Sequence, residues 1–332
     1  MRLTETKKRQ YIQSPFKKGK ITCQICGRTD RYHCSVTVDG SLAVCKYKWS
    51  DQHAKDGRYI HILNPNNSTA LYVGAPSVQK TEPKKADAKT CDAVYMALLS
   101  YLKLNPEHAN ALLNERGLSD TTIANRLYAS VPDKARGHRL ARALARFFDL
   151  RGVPGFYYQD GRWQLNVSFK GFYVPYRDEY GRIVGLQIRR DGNQEPKYLW
   201  LSSADKLEGA SPGAPLHFSK PDLTEQSGEV IVTEGALKAD RISEFAYVAT
   251  VALAGVTAMN PEKFTARIKH GLPKLRSVLI GFDIDWQEKP EVKAALFRLK
   301  HTLEKTDLAV KIRTWSSSLG KGLDDVLFQV GG

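Results

Sequence analysis

Apolar and polar positions change rhythm three times along the chain. In the last third, EVIVTE, YVATVAL, SVLIGFD and LAVKIRTW are short apolar runs of strand length. ALKADRISEF, PEKFTARIKHGL and KPEVKAALFRLKHTLEK, which separate them, read as helices. Strand and helix in strict alternation predict parallel strands joined by crossovers, an α/β unit over 227–332. Upstream, GFYYQDGRWQLNVSF, GFYVPYRDEYGRIVGLQIRR and KYLWLSS alternate in the strand manner with DG and YG turn signals, which predicts a mostly antiparallel subdomain.

Before that, from Ala93, the pattern is helical: AVYMALLSYLKL, EHANALLNERG stopped by Gly117, SDTTIANRL with Ser119 as N-cap, and RLARALARFF. Arg136, Arg139, Arg142 and Arg146 give the last of these a basic face, suited equally to solvent and to a nucleic acid. VQKTEPKKADAK, residues 78–89, has no periodicity and reads as linker. The expected organisation is an α+β multidomain chain. It comprises a small N-terminal domain at 1–77, a linker at 78–91, a helical and mixed α/β subdomain at 92–226, and a C-terminal α/β domain with a parallel sheet at 227–332.

Charge sharpens this division. The net charge is +15 over 332 residues, which favours a polyanionic partner. Residues 1–90 carry 17 Lys/Arg against 7 Asp/Glu, whereas the rest carries 33 against 28. No apolar run reaches the roughly 20 residues of a membrane helix, and the first residues lack the apolar core of a secretory signal. The expected location is cytoplasmic, with no membrane partner. In that reducing setting, four cysteines between positions 23 and 45 point to a metal rather than to disulfides.

Cys23 and Cys26 form a C-x2-C knuckle, and Cys34 and Cys45 flank SVTV-DG-SLAV, a hairpin signal centred on Asp39-Gly40. Counting outward from a two-residue turn pairs 36 with 43, 35 with 44, and Cys34 with Cys45. Both thiols then face each other at the open end of the hairpin. A knuckle and a hairpin supplying two thiolates each match a structural zinc site, with His33 and His53 as alternative ligands. Lys17, Lys18, Lys20, Arg28, Arg31, Tyr32, Lys46, Tyr47, Lys48 and Trp49 interleave cations with rings around it. That mixture suits single-stranded nucleic acid.

The candidate chemistry of the last third is acidic. Glu234 closes EVIVTE and precedes Gly235; Asp283 and Asp285 close SVLIGFDID. Residues two apart share one face of a strand, so the two aspartates are expected to converge, at the carboxyl ends where open parallel sheets bind ligands. Like charges so close call for a divalent cation, and oxygen-only ligands favour Mg²⁺ or Mn²⁺. Lys321, Asp324 and Asp325 follow in GKGLDDVL.

These residues, with the turn at Glu234-Gly235 and the spacing to Asp283-x-Asp285, resemble the Toprim fold of bacterial replicative primases, topoisomerases and some nucleases. GFYVPYRDEYGRIVGLQIRR and KYLWLSS resemble the basic subdomain that precedes Toprim in DnaG-type primases, which also begin with a zinc ribbon. The ribbon, TEGALKAD and GKGLDD together are most similar to primase-like proteins of plasmids, phages and integrated elements. The resemblance implies a DNA primase that makes RNA primers on a single-stranded DNA template from nucleoside triphosphates. It implies Glu234 as acid-base or metal-binding group, Asp283 and Asp285 as a metal-binding pair, and Asp324 and Asp325 as outer metal ligands. Arg189, Lys197, Lys238 and Lys321 would meet nucleotide or template phosphates. Lys238 departs from the pattern, since DnaG-type enzymes carry an acid there. No G-x-x-x-x-G-K-[ST] occurs, so a helicase in trans is expected to open the strands. The rival readings are a single-strand-binding replication protein with an inactive Toprim unit, and a stand-alone Toprim nuclease.

Overall fold

The computed structural model describes residues 11–12, 25–26, 34–37, 42–45, 48, 50, 52–53, 58–63 and 84–330. The chain divides into two units, Met1–Thr81 and Glu82–Gly332. In the first, β1 (Tyr11–Ile12), β2 (Ser35–Thr37), β3 (Leu42–Cys45), β4 (Gln52–His53) and β5 (Tyr59–Ile62) form an antiparallel sheet of order β1-β2-β3-β5-β4. The β2–β3 register is Ser35↔Val44 and Val36↔Ala43. This is the register expected from a two-residue turn at Asp39-Gly40; the turn itself lies outside the described residues.

The second unit opens with α1 (Ala88–Ser100), which starts before the apolar run because the Asp87 side chain accepts the Thr90 amide at 2.8 Å. After it come α2 (Pro106–Asn110), which runs on as a π-helical turn through Ala111–Glu115, and α3 (Asp120–Arg126), capped by Ser119. Next are β6 (Ala129–Ser130) and α4 (Lys134–Leu144), capped by Asp133. β7 (Phe156–Gln159) and β8 (Arg162–Leu165) form a ribbon whose turn residues, Asp160 and Gly161, have φ +51° and +73°. Two positive φ angles in succession make a type I′ turn, the geometry that DG favours.

β9 (Gly171–Arg177), β10 (Ile183–Arg190) and β11 (Tyr198–Trp200) join β6 in an antiparallel sheet, order β11-β10-β9-β6. Alternation along the strands gives this sheet two apolar faces. Tyr173, Leu186 and Ile188 pack with Val94, Tyr95 and Leu98 of α1. Phe172, Val174 and Tyr176 face the other way, onto Ala236 and Leu237.

Those two residues begin a helix of the parallel sheet. Its elements are β12 (His217–Ser219), α5 (Thr224–Ser227), β13 (Glu229–Glu234), α6 (Ala236–Phe245), β14 (Thr250–Leu253), α7 (Pro261–Gly271), β15 (Ser277–Ile280), α8 (Pro290–Glu304), β16 (Ala309–Ile312) and α9 (Leu323–Val330). The order is β12-β14-β13-β15-β16, with β12 antiparallel and the other pairings parallel. On one face Val230, Val232, Val251, Val278 and Ile280 pack against α7 and α8 through Phe264, Ile268, Leu296 and Leu299. Each such aliphatic side chain contributes about 1.5–3 kcal/mol by leaving water. On the other face Ile231 packs with Ile242 of α6 and Leu323 of α9. Helix α6 is thereby clasped between two sheets, and most of its side chains are buried, Asp240 and Arg241 among them. No helix among the described residues is long and apolar enough to cross a membrane.

Candidate functional site

Strand β13 ends on Glu234, and Gly235 turns the chain into α6 with φ +78°. That angle strains any residue with a Cβ, so the Glu-Gly pair is set by backbone geometry. On the neighbouring strand the register Val232↔Ile280 carries forward, with the Gly281 amide bonded to the Val232 carbonyl at 2.9 Å. Asp283 therefore arrives beside Glu234, close enough for its charge to act on the Glu234 carboxyl.

The aspartate pair is not on the strand. β15 stops at Ile280, and Asp285 lies in a 3-10 turn, Ile284–Gln287, that Asp283 precedes. Strand alternation is therefore not what joins them. Their convergence comes from this turn and from the 320–322 loop, whose Lys321 carbonyl accepts the Ile284 amide at 2.9 Å. The Lys321 ammonium then spans both acids, 2.9 Å from Asp285 Oδ2 and 3.6 Å from Asp283 Oδ2. Lys289 adds a second donor to Asp285 Oδ2 at 2.7 Å.

Lys238, one helical turn past Glu234, directs its ammonium to Asp283 Oδ1. Asp324, buried in the first turn of α9, gives Oδ2 to Arg241 at 3.0 Å and to Arg116 at 3.8 Å. Its other oxygen, Oδ1, has no hydrogen-bond partner. Asp325 turns away from the cluster, accepting from Arg241 at 3.1 Å and from the Gly322 amide at 3.0 Å. Of the expected site residues, the fold thus gathers Glu234, Lys238, Asp283, Asp285, Lys321 and Asp324 at one end of the sheet. Asp325 stands at its margin. Arg189 lies in β10 of the adjoining antiparallel sheet, and Lys197 immediately precedes its strand β11. The Arg189 guanidinium lies 5.9 Å from the centre of the Phe172 ring, itself packed in one cluster with the start of α6, and Lys197 is exposed.

The electrostatics follow from burial and charge. Burial, then the Asp283 carboxylate nearby, push the Glu234 pKa above the usual carboxyl range despite Lys238. For Asp285 partial burial acts upward, but hydrogen bonds from Lys289 and Lys321 prevail and hold its pKa down. The Lys321 pKa is raised in return, chiefly by its bond to Asp285.

A second group of charges on α6 was not expected from the sequence. Asp240 is buried, and its Oδ1 accepts from Arg126 Nε at 2.8 Å, Ser219 Oγ at 2.8 Å and His217 Nε2 at 3.0 Å. Oδ2 accepts from the Tyr128 hydroxyl at 2.7 Å. His217 Nδ1 accepts the Arg177 amide at 3.0 Å, so its ring proton sits on Nε2 and the ring is neutral. Burial would raise the Asp240 pKa; the surrounding His217, Arg126 and Tyr128 outweigh it and hold the carboxyl well below its ordinary value.

In the N-terminal unit the Sγ atoms of Cys26 and Cys34 are 3.8 Å apart, and those of Cys34 and Cys45 3.7 Å. Sulfurs about 2.3 Å from a shared tetrahedral ion stand roughly 3.8 Å from one another, far beyond a disulfide's length. These three cysteines are the one group of three or more metal-ligand side chains within 4.8 Å of one another among the described residues. Cys23, His33 and most of the surrounding cations and rings lie outside the described residues, as does the His53 side chain.

A family model described as a domain of unknown function, DUF3854, matches residues 223–332. No curated protein matches the sequence. Solved structures are similar in fold. One is the DnaG primase catalytic domain bound to single-stranded DNA, with TM-score 0.53 and 18% identity, over 73% of this chain and 75% of that one. Another is the RNA polymerase domain of Mycobacterium tuberculosis primase DnaG, with 0.54 and 16%, over 74% and 81%. A third, the zinc-binding and RNA polymerase domains of Aquifex aeolicus primase, spans 100% of this chain and 78% of its own, with 0.53 and 13%. The mixed α+β fold thus resembles that of primase zinc-binding and RNA polymerase domains.

Proposed function

We propose that this chain is a DNA primase, which extends a 3′-hydroxyl with ribonucleotides on a single-stranded DNA template. The observation that carries this reading is the gathering of Glu234, Asp283, Asp285 and Asp324 around Lys238 and Lys321 at the carboxyl end of a parallel sheet, more widely spaced than the three thiols. The acids already gather the cations available to them, and Asp324 keeps a buried oxygen without a partner. A donor set of carboxylates alone fits Mg²⁺ or Mn²⁺. With the 234–285 segments forming a Toprim-type centre, Glu234, Asp283 and Asp285 hold the ion, with Asp324 and Asp325 as outer acids. Bound there, a divalent ion would lower the pKa of the attacking hydroxyl and neutralise charge on the phosphates.

The chain's own groups do the rest. Glu234, whose raised pKa suits a base, accepts the proton of the 3′-hydroxyl as its oxygen bonds to the α-phosphorus and pyrophosphate leaves. Lys238 and Lys321 offset charge on the triphosphate, and Arg189 and Lys197 contact nucleotide or template phosphates. The exposed arginines of α4 offer the template a further basic stripe. Cys26, Cys34 and Cys45, with Cys23 as fourth ligand, hold a structural zinc that shapes a single-strand-binding ribbon. Strand opening falls to a separate helicase, and a phage or mobile element is the natural setting.

One observation favours a second reading. Lys238, Lys289 and Lys321 together neutralise the aspartate pair, as they would in a single-strand-binding protein that has lost catalysis. Incubation with single-stranded DNA, ribonucleotides and Mg²⁺ separates the readings. Labelled primers are expected. A gel shift without primers supports the binder, and a shortened template supports a nuclease.

A further inference from the structure

Glycine at position 322 leaves a small space at the heart of the cluster. The point a Cβ would occupy there is 2.3 Å from Asp324 Oδ1, 3.2 Å from Lys238 Nζ and 3.4 Å from Asp283 Oδ1. Two carboxylate oxygens and one ammonium therefore surround a single spot. Asp324 is 1% exposed, and Oδ1 is the oxygen that lacks a hydrogen-bond partner. Lys238 is itself only 24% exposed and ion-paired to Asp283. The charge of Asp324 is met through Oδ2 by Arg241 at 3.0 Å, which leaves Oδ1 as the buried acceptor facing this spot. The Lys238 ammonium, committed to Asp283, is the cation on the opposite side of the spot, so the positive charge there is already part of the chain.

We propose that the Lys238 ammonium stands in for one divalent ion, on the Asp283–Asp324 side of the cluster. The protein then binds a single divalent ion, on the Glu234–Asp283–Asp285 side. This inference rests on the catalytic reading given above for those three acids. An ammonium and a divalent ion make different demands. The ammonium brings one charge and hydrogen-bond donors, is tethered, and needs no dehydration; a divalent ion brings two charges and binds phosphate oxygen directly. Tethering also keeps a positive charge against Asp283 without any ion in solution. The side chain at 238 thus sets how many metal ions the site takes.

The test counts Mn²⁺ ions on zinc-loaded full-length protein, by electron paramagnetic resonance of free Mn²⁺ and by calorimetry, with primer synthesis followed in parallel. One ion is expected for the wild type, and two for Lys238→Asp, which supplies a third carboxylate in place of the ammonium. Lys238→Met guards against misfolding of the aspartate variant: its melting temperature is expected to fall in metal-free buffer and to recover with Mn²⁺ by more than the parent gains. Two ions in the wild type, or one in both wild type and folded Lys238→Asp, would overturn the inference while primer synthesis kept the catalytic reading. A Lys238→Met melting curve no more sensitive to Mn²⁺ than the parent's would also overturn it. An absence of bound ion together with an absence of primers would remove the catalytic reading itself, and this inference with it.

Discussion

Glu234 at the end of β13 and Asp240 on α6 stand close in sequence, and their environments are opposites. Asp240 has donors on both oxygens, from Arg126, Tyr128, His217 and Ser219, and no route to solvent. Glu234, at the mouth of the helix, faces Asp283, and the acids around it are held by the long side chains of lysines. The two pKa directions state the difference compactly: Asp240 is pushed down and Glu234 up. A saturated buried acid joins elements; an acid still short of positive charge is available for chemistry. Asp240 ties α3, the residue before β6, β12 and α6 together, and His217 extends the link to the Arg177 amide of β9 in the antiparallel sheet.

This contrast can be broken at either end. The largest expected effect is on activity: Asp283→Ala lowers primer synthesis by at least about 100-fold, the scale of losing a charge-stabilising group. Its melting temperature stays near the parent's, because no core contact is removed. Conversely, Asp240→Ala is expected to cost about 3–5 kcal/mol of stability in chemical denaturation, since the half-buried Arg126 loses its carboxylate and the fully buried His217 loses its acceptor. If the two variants behaved alike in both assays, the distinction would fail.

Titration sharpens it further. The folded pKa of Asp240 lies below its unfolded value of about 4, so its contribution is present above that pH and is lost as the pH falls through the folded value. Stability measured from pH 6 downward is therefore expected to fall more steeply in the parent than in Asp240→Asn. Glu234 has the reverse sign: its folded pKa is raised, so ionising it at neutral pH costs stability. In metal-free buffer at pH 7.5, Glu234→Gln is expected to melt at or above the parent's temperature. The smallest effect belongs to Lys289→Ala, which removes an exposed pair one turn apart and is expected to shift stability by no more than about 0.5 kcal/mol.

The same contrast explains what could be read without coordinates. The strand-helix alternation of the last third is legible because each element buries one face, and the β2–β3 register follows from where Asp39-Gly40 falls between apolar runs. Glu234 and Asp283 announce themselves as acids at the ends of such runs. The reason given for Asp285 is wrong, however, because a strand's alternation stops at Ile280 and a 3-10 turn takes over. Its partner Lys289 was visible in principle, four residues on. Asp240 left no local sign, since its donors come from positions 126, 128, 217 and 219 and only tertiary packing assembles them. Lys238 stood out as a departure, but its aim at Asp283 rather than back at Glu234 depends on the loop between β15 and α8.

Anomalous scattering from Mn²⁺ in crystals of the zinc-loaded protein tests the division most directly. One manganese peak is expected, bound by the carboxylates of Asp283 and Asp285 beside Glu234, with Lys238 still paired to Asp283. Crystals saturated with Mn²⁺ that show no peak at those acids would contradict the account.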